Sequence, residues 1–158
     1  MSKGAGMSPQ DNKQVVARFV EVCQNQHDLD FADVIFHPEF VNHYAPEGRP
    51  IQETPGRPAA GFQAFYGILL RAFPDATMQI DEQLAERDLV ATRKTFRGTH
   101  TGELWDLQPT GHHVEWEFLD IFRVRDGKLV EHWTSMDLEA LRAQVRRPDG
   151  PRTSSGRS

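Results

Sequence analysis

The sequence predicts an α+β domain in which helices pack on one face of a curved antiparallel sheet. In the first half of the chain, apolar residues recur at helical spacing, whereas after Pro74 they alternate with polar residues as they do in strands. Helices followed by a run of antiparallel strands are typical of this class. The length of 158 residues suits one domain. Because helices that cover a curved sheet enclose a hydrophobic pocket, we expect a small-molecule site between the two layers.

The helices are predicted from capping residues and apolar spacing. Ser8 and Pro9 begin the first helix, with Asp11 in the capping position, and it extends to about Gln26. A short helical turn covers residues 29–35. Further helices follow from two apolar sets at helical spacing, the second of them capped by Asp137: Phe62, Phe65, Tyr66, Leu69 and Phe73, then Leu138, Leu141 and Val145.

The strands are predicted from alternation and turn signals. Asp126-Gly127 marks a hairpin between two of them. The proline- and glycine-rich residues 45–58 form a loop long enough to be a binding loop or lid. The domain covers residues 8–145, between a flexible N-terminus (1–7) and a disordered tail (146–158). The predicted strands are 40–44, 78–85, 89–101, 113–124 and 129–135.

Charge and composition narrow the range of functions. The net charge of −5 disfavours nucleic acid as a partner. No apolar run approaches the roughly 18 residues of a membrane span, and the first residues lack the apolar stretch of a signal peptide. The one cysteine, Cys23, suits a reducing compartment. We therefore expect a cytoplasmic protein that contacts neither membrane nor nucleic acid.

A carboxylate on the strand before the hairpin is the first candidate for chemistry. A two- or four-residue loop pairs residues whose numbers sum to 253, which places Trp133 opposite Asp120, whereas a three-residue bulged loop would break this register. Asp120 then shares one strand face with Trp116, Phe118, Phe122 and Val124. Such surroundings predict a raised pKa, as in a general acid/base. The alternative is a structural Asp120 that is ion-paired with Arg93, Arg97 or Arg123.

Two polar groups are further candidates for a pocket. His100 lies between Gly98 and Gly102 at a strand end, where its ring either contacts a substrate oxygen or makes a structural hydrogen bond. His43 and Tyr44 either line the pocket beside the long loop or form a solvated strand edge.

Other kinds of site find little support in the sequence. Adjacent histidines such as His112 and His113 point to opposite strand faces and cannot chelate together, so we expect no metal site. Cys23 lies on the buried face of the first helix and is interpreted as a core residue. The sequence contains neither a G-x-S-x-G nucleophile motif nor a glycine-rich phosphate loop.

Several segments together resemble a known family, from about Gln10 to Val145. The sequence is similar to the SnoaL-like polyketide cyclases, ester cyclases of the nuclear-transport-factor-2-like superfamily. The segments that carry this resemblance are Phe73-Pro74-Asp75, residues 98–103 (GTHTGE), Pro109-Thr110-Gly111, residues 120–123 (DIFR), residues 126–133 (DGKLVEHW) and Asp137.

The resemblance implies a cone-shaped α+β barrel with an open-ended hydrophobic pocket, assembled as a homodimer or tetramer. It implies an enzyme that closes a polyketide ring by intramolecular aldol condensation, with neither metal nor cofactor. Asp120 matches the family's acid/base, and His100 matches a histidine of its pocket. We expect the substrate to contact Trp116, Phe118, Phe122, Trp133, His43, Tyr44, Phe65 and Arg93.

Other activities occur on related folds and stay open as alternatives. They are an epoxide hydrolase, a dehydratase or isomerase, and a non-catalytic dimer that binds a small molecule. An epoxide hydrolase of this type uses an Asp–Arg–Asp relay, of which Asp120 and Arg93 offer a part.

Overall fold

The structure is a computed structural model that describes residues 6–43 and 56–149. It confirms the α+β class. Four α-helices are present in these ranges: α1 (Pro9–Phe19), α2 (Ala32–Ile35), α3 (Ala60–Ala72) and α4 (Leu138–Arg146). A π-helical segment, Val20–Asn25, continues α1, and a 3₁₀ turn, Leu29–Phe31, precedes α2. In the described ranges, no helix is long and apolar enough to span a membrane.

The helix ends follow the predicted capping. The Ser8 hydroxyl accepts from the Asp11 amide, and the Asp11 carboxylate accepts from the Ser8 amide, so both halves of a capping box are present. Asp137 caps α4 through the Ala140 amide. Cys23 is a fully buried core residue, as predicted.

In the described part of the chain, five strands form one sheet in the order β1-β5-β4-β3-β2. The pairing of β1 with β5 is parallel and the other three pairings are antiparallel, so the sheet is mixed rather than wholly antiparallel. Among the described strands the sheet is open, with β1 and β2 as its edges, and these strands do not close into the barrel that the resemblance implies. The strands are β1 (Phe36–Asn42), β2 (Thr77–Glu86), β3 (Leu89–Thr99), β4 (His113–Arg125) and β5 (Lys128–Met136).

A bulge in β5 changes the predicted register. Asp126 and Gly127 have φ values of 53° and 71°, as a two-residue hairpin turn requires, and Val124 pairs with Leu129 as predicted. Beyond that pair the register shifts by one residue at Val130. From there on, the residues that face each other have numbers that sum to 254 instead of 253.

The glycines that flank His100 allow close packing against the end of α3. A β carbon on Gly98 would lie 2.8 Å from the Phe73 Cβ, and one on Gly102 would lie 2.0 Å from the Arg71 carbonyl oxygen. No larger residue fits at either position without displacement of α3, so these glycines set the distance between the helix and the sheet.

Three predicted segments lie largely or partly outside the described residues. Residues 1–5, 44–55 and 150–158 are not described, so the predicted flexible N-terminus, disordered tail and lid-like loop stay predictions.

Candidate functional site

An aromatic cavity of about 90 Å³ lies between the helices and the inner face of the sheet. Seven phenylalanines and Tyr66 make up half of the described residues that line it. Asp120 is the only carboxylate among the described lining residues, and Lys94 and His132 are the basic ones. The volume exceeds that of a single water, so the cavity has room for part of a small molecule.

Lys94 and Asp120 form a buried ion pair in this cavity. Lys94 is on β3 and Asp120 on β4, and their side chains project from the same face of the sheet. The Lys94 Nζ lies 2.5 Å from the Asp120 Oδ2, and the two residues are only 2% and 3% exposed. Lys94 also donates to the Gln24 Oε1, at 3.1 Å, from the π-helical segment.

His132 extends the pair into a three-residue chain. Its Nε2 lies 3.2 Å from the Asp120 Oδ1, and its Nδ1 lies 3.2 Å from the Asn42 Oδ1 on β1. The ring stacks on Phe122 with 4.4 Å between centroids. An ionised Asp120 accepts a hydrogen bond from the Nε2–H tautomer, so each of its oxygens has a donor.

The pKa of Asp120 is shifted in the direction opposite to our prediction. Burial by itself raises the pKa, but the Lys94 ammonium and the His132 hydrogen bond outweigh it and hold the pKa of Asp120 well below its ordinary value. The predicted shift was wrong because Lys94 was missing from the predicted surroundings. The arginines proposed as ion-pair partners do not contact Asp120, which pairs with Lys94 instead.

Two hydroxyls of the cavity wall lack partners. Among the described residues, neither the Tyr66 Oη nor the Thr134 Oγ1 has a hydrogen-bond partner, although both atoms are buried. Thr134 faces Asp120 across the β4–β5 ladder, and Tyr66 comes from α3. Burial, followed by the negative charge of Asp120, raises the pKa of Tyr66 far above its usual range, so the phenol stays neutral.

Three of the residues predicted to contact substrate line the cavity: Phe65, Phe118 and Phe122. Trp116 lies on the same face of β4 but is not among the lining residues. It is a core residue, 3% exposed, whose Nε1 donates to the Asp137 carbonyl.

Trp133, His43 and Arg93 do not line the cavity. Because of the bulge, Trp133 faces Ile121 instead of Asp120, and it stacks on His43 with 4.6 Å between centroids. Arg93 faces outward and pairs with Glu117 at 3.2 Å, so it cannot complete a relay with Asp120. Tyr44 lies outside the described residues.

His100 is buried away from the cavity. It is completely inaccessible to solvent, and its Nδ1 accepts from the Thr110 amide at 3.2 Å. Its ring packs beside Phe73 with 5.5 Å between centroids. Burial, with a contribution from His112, lowers the pKa of His100. Its surroundings are those of a hydrogen-bonded core histidine, the alternative that the sequence left open.

The sequence analysis did not identify Lys94 and His132 as site residues, for two different reasons. Lys94 shares the inner face of β3 with Val90 and Phe96, so strict alternation along this strand points to it. His132 faces the cavity only because of the bulge at Val130, and the turn sequence does not predict that bulge.

Metal-binding residues do not cluster in the described part of the chain. Within it, no three His, Cys, Asp or Glu side chains are close enough together to hold an ion.

The comparisons with known proteins agree with this architecture. The model of the SnoaL-like polyketide cyclase family matches residues 14–145. AclR from Streptomyces galilaeus, titled a "putative hydroxylase", is 30% identical with a TM-score of 0.76 over 92% of this chain and 87% of that one. IdmH from Streptomyces antibioticus, a "putative polyketide cyclase", is 34% identical with a TM-score of 0.70 over 85% and 97%.

More distant structures share the fold. A "putative SnoaL-like polyketide cyclase" from Jannaschia is 21% identical with a TM-score of 0.72, over 92% of this chain and all of that one. Among curated proteins, none matches the sequence.

Proposed function

We propose that this chain, which belongs to the SnoaL-like polyketide cyclase family, uses Asp120 to move a proton on carbon during intramolecular aldol closure of a hydrophobic, polyketide-like substrate. The observation that carries the proposal is the Lys94–Asp120–His132 chain, which lies buried in an aromatic cavity. The carboxylate is ionised before substrate binds, so it is ready to act as a base.

The depressed pKa of Asp120 is compatible with this role because of the position of Lys94. When Asp120 takes a proton from a carbon flanked by carbonyls, its negative charge passes to the enolate oxygen. The Lys94 ammonium has three N–H donors, of which Gln24 and Asp120 accept two. Lys94 therefore stabilises the enolate as it stabilised the carboxylate, and the net charge of the cavity does not change.

The rest of the reaction returns the proton. The enolate carbon attacks an internal carbonyl carbon, whose oxygen becomes an alkoxide, and the protonated Asp120 gives its proton to that alkoxide. The substrate delocalises its own carbanion, so the proposed reaction uses no cofactor. The phenylalanine walls contribute by holding the substrate folded and by excluding water. His100, which matches a histidine of the family's pocket, is buried and does not line the cavity, so the proposal gives this step to Asp120 alone.

Hydrogen exchange tests this proposal without knowledge of the natural ring system. An anthraquinone with a β-ketoester side chain is incubated with the protein in D₂O, and the exchange is followed by NMR. We expect Asp120→Asn to reduce exchange to the uncatalysed rate, while Glu117→Gln, an outward carboxylate on the same strand, leaves exchange unchanged. Binding without exchange above that of Asp120→Asn would refute the proposal and favour a binding protein.

A second variant guards against misfolding of Asp120→Asn, which leaves Lys94 buried without its counter-ion. The double substitution Lys94→Met with Asp120→Asn removes both charges and is expected to fold, to bind the anthraquinone and to show no catalysed exchange. Incorporation of labelled water oxygen into an epoxide substrate would instead support a hydrolase. The described wall of the cavity argues against that, because it offers no second carboxylate.

The proposal extends to assembly and location. We propose a cytoplasmic location, which the single Cys23 suits. We also propose a homodimer, with a tetramer as the alternative, because the family resemblance implies one of the two; light scattering of the purified full chain measures the oligomeric state directly.

A further inference from the structure

The hydroxyls of Tyr66 and Thr134 are unusual among the polar groups of this molecule. In the described ranges, four buried side-chain polar atoms lack hydrogen-bond partners. The other two, on Asn12 and His100, are not part of the cavity wall, whereas Tyr66 and Thr134 both line it. Buried polar groups are nearly always satisfied by protein, by water or by a ligand, because an unpaired one costs free energy.

The two hydroxyls approach the cavity from different layers of the domain. Thr134 belongs to the sheet and faces Asp120 directly across the ladder, where side chains on one face are immediate neighbours. Tyr66 belongs to α3, on the helical side, and is 1% exposed. A ligand between the layers therefore lies against a hydroxyl-bearing residue on each side.

Neither hydroxyl makes a hydrogen bond to another described residue. Thr92 shows the contrast, because it is also a buried threonine that faces Asp120, from the β3 side. The Thr92 Oγ1 accepts from the Gln83 Nε2 at 3.3 Å, and Thr92 is not among the lining residues. The position beside Asp120 therefore does not by itself leave a threonine unpaired.

We infer that the Tyr66 and Thr134 hydroxyls bind oxygen atoms of the ligand and thereby hold it against Asp120. Both are neutral donors that reach only a short distance, so they favour carbonyl or hydroxyl oxygens over apolar edges of the same shape. The inference rests on the proposed function for the claim that this ligand is a substrate. It adds two specificity-determining residues to the Lys94–Asp120–His132 chain.

Three ligands on one carbon skeleton test the inference by binding alone. They are tetralin, 1-tetralone and 2-acetyl-1-tetralone, which carry no, one and two carbonyl oxygens. Calorimetry gives the dissociation constant of each ligand, and the ratio between the diketone and tetralin measures the preference for oxygen. A ratio within one protein cancels any effect of a substitution that changes the affinity for both ligands equally.

Tyr66→Phe and Thr134→Val are each expected to reduce this ratio by about 2- to 10-fold, the equivalent of one neutral hydrogen bond. Thr92→Val is the matched control and should leave the ratio unchanged. Thr134→Ser keeps the hydroxyl and should retain the wild-type ratio, which separates loss of the donor from loss of packing.

An unchanged ratio in both Tyr66→Phe and Thr134→Val overturns the inference, since the hydroxyls then bind water only. An equal loss in Thr92→Val also overturns it. Failure of the proposed function looks different: the oxygen preference and its dependence on Tyr66 and Thr134 remain, while Asp120-dependent exchange is absent. If exchange depends on Asp120 but the ratio is unchanged in Tyr66→Phe and Thr134→Val, the inference is refuted and the proposed function stands.

Discussion

Replacement of Lys94 by methionine should destabilise the protein strongly, because it leaves Asp120 as a buried carboxylate without its cation. At 2.5 Å and an effective dielectric constant of about 20, the two charges attract each other by roughly 7 kcal/mol. Desolvation offsets part of this attraction, and removal of one partner from a buried pair costs about 3–5 kcal/mol. We expect a loss at the lower end of that range, since His132 still donates to the carboxylate.

The effect of Lys94→Met depends on pH in a direction that can be worked out. In the wild type the folded pKa of Asp120 lies below its ordinary value, so its stabilisation is present above that value and is lost as the pH falls through the folded pKa. In the variant, burial acts without the cation and raises the pKa. The free-energy penalty of burying the unpaired carboxylate is then full at neutral pH and is relieved as the pH falls and the carboxylate is protonated. The difference in stability between the wild type and Lys94→Met therefore narrows on acidification.

Urea unfolding, followed by tryptophan fluorescence at pH 7.5 and pH 5, measures these differences. The double variant that also carries Asp120→Asn contains neither charge and should regain most of the lost stability. The coupling from the double-mutant cycle should be several times the roughly 0.5 kcal/mol that independent sites show. A coupling within that limit, or a difference that widens at pH 5, would refute the buried pair.

Further expectations concern the packing of Gly98, the position of Trp133 and the exposed carboxylate of Asp75. Gly98→Ala should lose about 1–3 kcal/mol of unfolding free energy, because the added β carbon would lie only 2.8 Å from its neighbour. Gly67→Ala, within a helix and with 3.5 Å to its neighbour, should gain about 0.5–1 kcal/mol. Denaturant titration compares the two variants, and equal effects would contradict the close approach at Gly98. Trp133→Leu should leave the affinity for 1-tetralone within about 2-fold of the wild-type value, whereas Phe118→Ala should weaken it about 10-fold or more. Calorimetry measures both affinities, and the reverse order would show that Trp133 contacts the ligand. A backbone hydrogen bond lowers the pKa of Asp75. Asp75→Asn should therefore cost about 1 kcal/mol of unfolding free energy at pH 7, after allowance for the exposure of the carboxylate, and less as the pH falls below the ordinary carboxyl pKa. A loss of stability that grows in acid would contradict this assignment.

The parts of the fold that local signals determine were predicted well. Ser8, Asp137 and the Asp126-Gly127 turn act through neighbours a few residues away, and each stands where the sequence places it. The first strand was predicted to begin at residue 40 but begins at Phe36. Pro38 lies within this strand, which is possible because β1 is an edge strand, where a missing amide donor does no harm.

The site was less predictable because it depends on contacts between distant segments. Alternation along β4 correctly placed Asp120 on the inner face beside Phe118 and Phe122. The sign of its pKa shift depends on Lys94, which is 26 residues away in the sequence and which composition alone assigns to the surface. A single misjudged neighbour was therefore enough to reverse the electrostatic prediction.

The bulge at Val130 gives the domain a simple means of changing its chemistry. Since side chains alternate along a strand, the unpaired residue at Val130 decides which of the two alternating sets of β5 side chains faces the cavity. With the bulge, the His132 imidazole and Thr134 face the cavity; if every residue were paired without it, Glu131 and Trp133 would take their places. A substitution that flattens the bulge, so that Val130 joins the ladder, would therefore exchange the cavity-facing side chains of β5 while the chain keeps its length.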